Sequence, residues 1–155
     1  MDVVAAEPNI KKLYSNNLKN KFMDLHLNNK VALVLAASKG LGKAIKTSLS
    51  AEGAKVIIGS RNAAELERTA AEITLQIGNP VTAMTVDISI AKQLADVIEK
   101  AGNMYGQIDI LINNAGGPPF DRFENFNDEQ WQAVFELNLL SFARQQAGIA
   151  FHEKG

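Results

Sequence analysis

From Val31 onward, apolar residues fall into short continuous runs separated by stretches with helical spacing. Val31 to Ala37 form the first run, which has the length and continuity of a strand covered on both faces. A helix is expected from about Leu41 to Glu52, with Leu41, Ala44, Ile45 and Leu49 on one face and Gly53 at its end. Residues 55–59 read as a second buried strand. The next helix, 63–77, carries a stripe of Leu66, Ala70, Ile73 and Ile77 and stops at Gly78-Asn79-Pro80. Residues 81–86 form a third strand, and Ser89 is expected to cap a helix bearing Leu94, Val97, Ile98 and Ala101. Residues 108–112 form a fourth strand, followed by the loop 113–119. Asn127 or Asp128 then caps a long helix running to about Ala147.

Strands that are apolar throughout and alternate with helices imply a parallel sheet covered on both faces. With right-handed crossovers and a glycine turn after the first strand, the fold class is α/β. The expected architecture is a doubly wound, Rossmann-type parallel sheet in the order 3-2-1-4. Such a sheet is built from two halves. The chain is therefore expected to be truncated after about four strands and the long helix. Residues 1–22, polar and mildly basic with Lys11, Lys12, Lys19 and Lys21, read as a flexible N-terminal extension. Residues 23–155 read as the partial dinucleotide-binding domain.

Bulk composition narrows the partners. Of the 155 residues, 46% are hydrophobic and 21% charged, which is ordinary for a soluble globular domain. A formal net charge of -1 gives no electrostatic case for nucleic acid or an anionic membrane. Cysteine is absent, which excludes disulfides and thiolate metal sites. His26 and His152 lie far apart and give no zinc-binding pair. No apolar run approaches the roughly 20 residues of a membrane span, and the N-terminus lacks a secretory pattern, so the expected location is cytoplasmic.

The candidate chemistry gathers at strand ends. Gly40 and Gly42 allow a tight turn and a close backbone approach, and the helix they open points unpaired N–H groups at whatever sits there. Such a turn also occurs where nothing binds. Lys39 lies inside the turn, and Arg61 follows the second strand about 20 residues later, where NAD-binding proteins usually place an acid. The positions read Ser60-Arg61-Asn62, and a guanidinium fork suits the 2′-phosphate of NADP. The alternative is two solvated surface cations. Asp87 is either an adenine-facing acceptor or a turn former. Asn113-Asn114-Ala115-Gly116 offers donors and acceptors to a ribose or to neighbouring backbone. Asn138, inside a helical pattern, is either a tolerated polar residue or a group that holds water in a proton path. Phe120, Phe123, Phe126, Trp131 and Phe135 read as core and interface residues.

Together, Ala36-Ala37-Ser38-Lys39-Gly40-Leu41-Gly42, Asp87, Asn113-Asn114-Ala115-Gly116 and Asn138 resemble the short-chain dehydrogenase/reductase family, over about Lys30 to Arg144. The likeness is strongest to 3-oxoacyl-carrier-protein reductases and related carbonyl reductases. The resemblance implies an NADP(H)-dependent reductase acting by hydride transfer on a carbonyl or alcohol. It implies that Ser38, Lys39 and Leu41 line the cofactor phosphates and that Arg61 selects NADP. Asp87 would face adenine, Asn114 and Gly116 would flank the nicotinamide ribose, and Asn138 would be the helix member of the catalytic tetrad. The cofactor set is completed by Ala36, Gly40, Gly42, Ile88 and Ala115.

Two departures stand out. The family pattern opens with Thr-Gly where this chain has Leu35-Ala36. It also requires a Ser on the fifth strand and a Tyr-x-x-x-Lys pair. Here the two tyrosines, Tyr14 and Tyr105, are followed four residues on by Leu18 and Asp109. The expectation is a cofactor-binding fragment without catalysis. The alternative is a non-catalytic nucleotide-binding or oligomerisation module, pairing through the helix around Trp131 to Phe142.

Overall fold

The computed structural model describes residues 25–36, 40–116 and 121–152. The expected N-terminal extension, Ser38, Lys39 and Phe120 lie outside the described residues. In chain order the elements are β1 (Val31–Leu35), α1 (Gly40–Ala51), β2 (Lys55–Ser60), α2 (Ala63–Ile77), β3 (Val81–Thr85), α3 (Ala91–Tyr105) and β4 (Ile110–Ile112). A 3-10 turn at Phe123–Asn125 precedes α4 (Asp128–Phe135), a π-helical segment Glu136–Leu140 and α5 (Ser141–His152). The four strands form one parallel sheet in the order β3-β2-β1-β4, as the alternation of strand and helix patterns predicts.

Two clusters of buried side chains cover the two faces of the sheet. Val31, Leu33 and Leu35 of β1 join Leu94, Val97, Ile98 and Ala101 of α3 and Ile149 of α5. Val34 of β1 joins Val56 and Ile58 of β2 and Leu66 and Ala70 of α2. This is the alternation a strand imposes when both faces are covered. α3 and α5 approach closely at Gly148, where a Cβ would come within 2.9 Å of Ile98 Cδ1.

Helix ends agree with the sequence in part. Gly53 and Gly78 close α1 and α2 with φ of 85° and 84°. Asn127 caps α4 through a reciprocal pair: its side chain accepts from the Gln130 N–H at 2.9 Å, and the Gln130 side chain accepts from the Asn127 N–H at 2.9 Å. Ser89 does not cap α3. Ile90 occupies the cap position, and the Ser89 N–H and hydroxyl both donate to Asp87 Oδ1, at 3.0 and 2.7 Å. The Asp87 carboxylate, two residues back, gathers both Ser89 donors in a local turn, and the helix begins one residue later.

α1 also turns a different face inward from the one its apolar stripe indicates. Lys46 and Ser50 are fully buried, Ala44 is exposed, and Ile45 and Leu49 are half-buried. Leu49 still packs on the cluster formed by Val34, Val56 and Ile58, so the helix is rotated from the expected face rather than turned away from the core. Burial, with Lys43 beside it, pushes the Lys46 ammonium down to about 8, while Glu65 and Glu72 act in the opposite direction. The aromatic residues do not join the core, one of the two places expected for them. Phe123, Trp131 and Phe135 are exposed and Phe126 is half-buried. Phe123 and Phe126 pack on Trp131, with ring centroids 5.1 and 5.3 Å apart.

β1 and β4 are clasped at both ends by side chains. At the N-terminal end, Asp109 accepts from the Val31 N–H at 2.8 Å, from Lys30 Nζ at 2.9 Å and from Gln107 Nε2 at 2.8 Å. Burial alone would raise its carboxyl pKa, but these three donors outweigh it and hold the group below the usual carboxylate range. At the C-terminal end, Asn114 Nδ2 donates to the Ala36 carbonyl at 2.8 Å. Ala36 has φ of 49°, left-handed backbone that glycine adopts without cost.

Two predictions follow from the clasps. Asp109→Asn should lower stability at pH 7 by about 1–2 kcal/mol, the range for lost charge-assisted hydrogen bonds. Because the folded carboxyl pKa is depressed, this contribution is complete above the ordinary carboxylate value of 3.8 and is lost as pH falls through the lower folded value. Urea melts of the two proteins should therefore converge once the pH falls below the depressed carboxyl value of the folded state. Ala36→Gly should raise stability by about 0.5–1 kcal/mol, the left-handed strain relieved less the extra chain entropy, read from the midpoint of the same melts.

Candidate cofactor site

A cleft of about 340 Å³ opens at the C-terminal edge of the sheet. This volume lies within the range of small-molecule sites. Its position follows from the topology. From β1 the chain proceeds through β2 to β3 on one side, and β4 adds on the other. Open parallel sheets bind ligands at such a reversal.

Each strand end contributes to the walls. β1 supplies Ala36 and the β4 loop supplies Gly116. The end of β2 and the start of α2 supply Ser60, Arg61, Asn62 and Glu65. The segment after β3 supplies Val86, Asp87 and Ile88, and Leu137 closes the cleft from the π-helical segment. Gly59 lets β2 pass close beneath it: a Cβ there would lie 2.5 Å from Leu35 Cδ2 and 2.8 Å from Val86 Cγ1. At Gly116 a Cβ would meet no described atom within 4 Å.

Of the residues expected from the sequence, Ala36, Arg61, Asp87, Ile88 and Gly116 meet in the cleft. Asp87 also builds its own turn. Its Oδ1 holds Ser89, and its N–H donates to Gln93 Oε1 at 2.9 Å. Asn114 is not a wall residue; its amide ties the β4 loop to Ala36. Ala115 packs beside it against the buried cluster that includes α3. Gly42 is buried in α1, and Gly40 and Leu41 form the first turn of that helix, directly beyond β1.

Asn138 lies in the π-helical segment, where the Ser141 N–H reaches the Glu136 carbonyl. Its Nδ2 donates to the Val134 carbonyl at 3.1 Å, and the Ser141 hydroxyl donates to the Leu137 carbonyl at 2.6 Å. Each of these side chains bonds the carbonyl four residues earlier in the same run of helix. Arg144 and Glu136 bridge the segment at 2.9 Å. The segment carries Leu137 to the cleft, with Asn138 next to it in sequence.

Ser60, Asn62, Glu65, Val86 and Leu137 are wall residues that motif reading did not select. Asn62 is the α2 cap, its Oδ1 accepting from the Glu65 N–H at 3.1 Å. A cap immediately after a strand was the available signal, because it fixes the first turn of α2 at the cleft. The Ser60 hydroxyl is buried without a hydrogen-bond partner among the described residues. The donor set suits a nucleotide: a guanidinium for phosphate, a carboxylate acceptor beside it, and a backbone wall at Gly116.

The short chain dehydrogenase family profile matches residues 30–150. The 3-oxoacyl-[acyl-carrier-protein] reductase of Escherichia coli (strain K12) is 34% identical over 125 residues, covering 81% of this chain and 50% of its own length. The uncharacterized oxidoreductase YvrD of Bacillus subtilis (strain 168) is 37% identical over 122 residues, covering 79% of this chain and 45% of its own. Among solved structures, L-sorbose reductase from Gluconobacter frateurii, complexed with NADPH and L-sorbose, superposes with a TM-score of 0.79 at 29% identity. That match covers 84% of this chain and 49% of the reductase. The chain spans about half the length of the relatives it matches. With a profile match over most of its length and a sheet that superposes on such an enzyme, this chain belongs to the short chain dehydrogenase family.

Proposed function

We propose that this chain is the cofactor-binding part of an NADP(H)-dependent oxidoreductase that reduces carbonyl or 3-oxoacyl groups. The observation that carries this reading is the meeting of Arg61, Asp87 and Gly116 in one cleft at the strand-order reversal. Arg61 would take the 2′-phosphate, Asp87 with Ile88 the adenine, and Gly116 the nicotinamide ribose. Ala36 and Gly42 would let the backbone approach the pyrophosphate, with Ser38, Lys39, Gly40 and Leu41 around it. Asn114 and Ala115 would hold that wall in place. The NADPH and NADP complexes among the related structures support this choice of cofactor. NADP(H) would supply the hydride; this chain's residues bind and orient it.

Asn138, beside Leu137 of the wall, is assigned the helix position of the catalytic set. The 155 residues contain no Tyr-x-x-x-Lys pair, so the chain is assigned binding without turnover. A second reading, a nucleotide-binding module that pairs with its own copy, is favoured by a separate observation. Trp131, Phe135 and Leu139 are 41%, 46% and 55% exposed at four-residue spacing along α4 and the π-helical segment.

Calorimetric titration of the 155-residue chain should show NADPH binding, with no carbonyl reduction in the same sample; measured turnover would overturn the assignment of binding alone. Arg61→Asp should weaken NADPH binding by about tenfold or more, the scale of a charge-assisted hydrogen bond, and shift preference toward NADH. An unchanged preference would remove Arg61 from the phosphate site.

A further inference from the structure

We infer that Gln93 is a positioning residue for the base end of the cleft: it holds the Asp87 turn so that the carboxylate meets the exocyclic amine of a 6-amino purine. This rests on the cleft being the nucleotide site and deepens that reading. Gln93 is exposed and is not itself a wall residue. It is the third residue of α3, whose cap position is held by Ile90 with no side-chain hydrogen bond. A glutamine at that helix position commonly reaches back to the backbone N–H of its own cap residue. Gln130 does so in α4, where its side chain accepts from the Asn127 N–H at 2.9 Å. In α3 the Ile90 N–H goes instead to the Asp87 carbonyl at 3.1 Å. Gln93 Oε1 reaches three residues further back and accepts from the Asp87 N–H at 2.9 Å. The acceptor that would finish the helix end is tied to a wall of the cleft.

Asp87 is thereby held from two sides. Its N–H is bound to Gln93, and its Oδ1 accepts from the Ser89 N–H at 3.0 Å and the Ser89 hydroxyl at 2.7 Å. Oδ2 has no hydrogen bond among the described residues. An ionised carboxylate with one oxygen committed offers the other as an acceptor only. An amino group on the base satisfies that acceptor, whereas a carbonyl at the same ring position sets two acceptors against each other. Telling the two bases apart requires the carboxylate to keep one direction. The Gln93 bond restrains the peptide from which that carboxylate projects.

The test measures, by calorimetry on the full chain, the affinities for NADP⁺ and for its hypoxanthine analogue, in which a carbonyl replaces the adenine amino group. The unaltered chain should favour NADP⁺ by about tenfold or more, the scale of one hydrogen bond to a charged group. Gln93→Met keeps the side-chain length and the helix preference and removes the acceptor. It should cut the preference by about three- to tenfold. Gln93→Glu keeps the acceptor and should leave the preference within twofold. So should Gln130→Met, which removes the matching acceptor from a helix end that lines no part of the cleft. A fall below threefold in Q93M, an equal fall in Q130M, or an equal fall in Q93E overturns the role of Gln93 and leaves the site intact. Equal affinity of the unaltered chain for the two nucleotides overturns base recognition by Asp87, and this role with it. Binding of neither overturns the nucleotide site as well.

Discussion

The site depends on the junction between β1 and β4. The ladder there is short, pairing Ala32, Leu33 and Val34 with Ile110, Leu111 and Ile112. A parallel ladder of that length is weak on its own, and its partners lie far apart in sequence. Asp109 and Asn114 supply what it lacks, each forming a hydrogen bond across 78 positions, one at either end of the strands. Asn114 acts on the very residue where β1 leaves the sheet. The Asn114 amide thus ties together the two sides of the cleft that Ala36 and Gly116 line.

This junction also explains the cost carried at Ala36. The strand must turn sharply into the segment before α1, and the left-handed backbone there suits glycine. The chain has alanine, and the hydrogen bond from Asn114 to the Ala36 carbonyl helps hold the strained conformation. In the sequence the substitution is only a departure from the family pattern. In the structure it becomes a local strain with a definite restraint.

The sheet order and element types were legible because the strands are apolar throughout and the helices keep a 3.6 period. Less local features were not legible. On α1 the fully buried positions are Lys46 and Ser50, while Ile45 and Leu49 of the apolar stripe are only half-buried, a rotation of the helix that apolar spacing does not contain. Ser89 has a capping side chain but is drawn to Asp87, a competition that residue preferences do not contain. In the site, Arg61, Asp87 and Gly116 could be found because strand ends are easy to locate. Glu65 could not, since its place in the cleft depends on how Asn62 starts α2.

The aromatic group at Phe123, Phe126 and Trp131 has a consequence for how this molecule reports on itself. Trp131 is the single tryptophan, and it sits in α4, a helix with no buried residue. Its emission therefore senses the start of that helix and the 3-10 turn beside it, not the packed sheet. An optical unfolding curve would follow a helix that has no buried residue of its own. Only its coincidence with a backbone signal such as circular dichroism would show that α4 and the sheet melt as one unit.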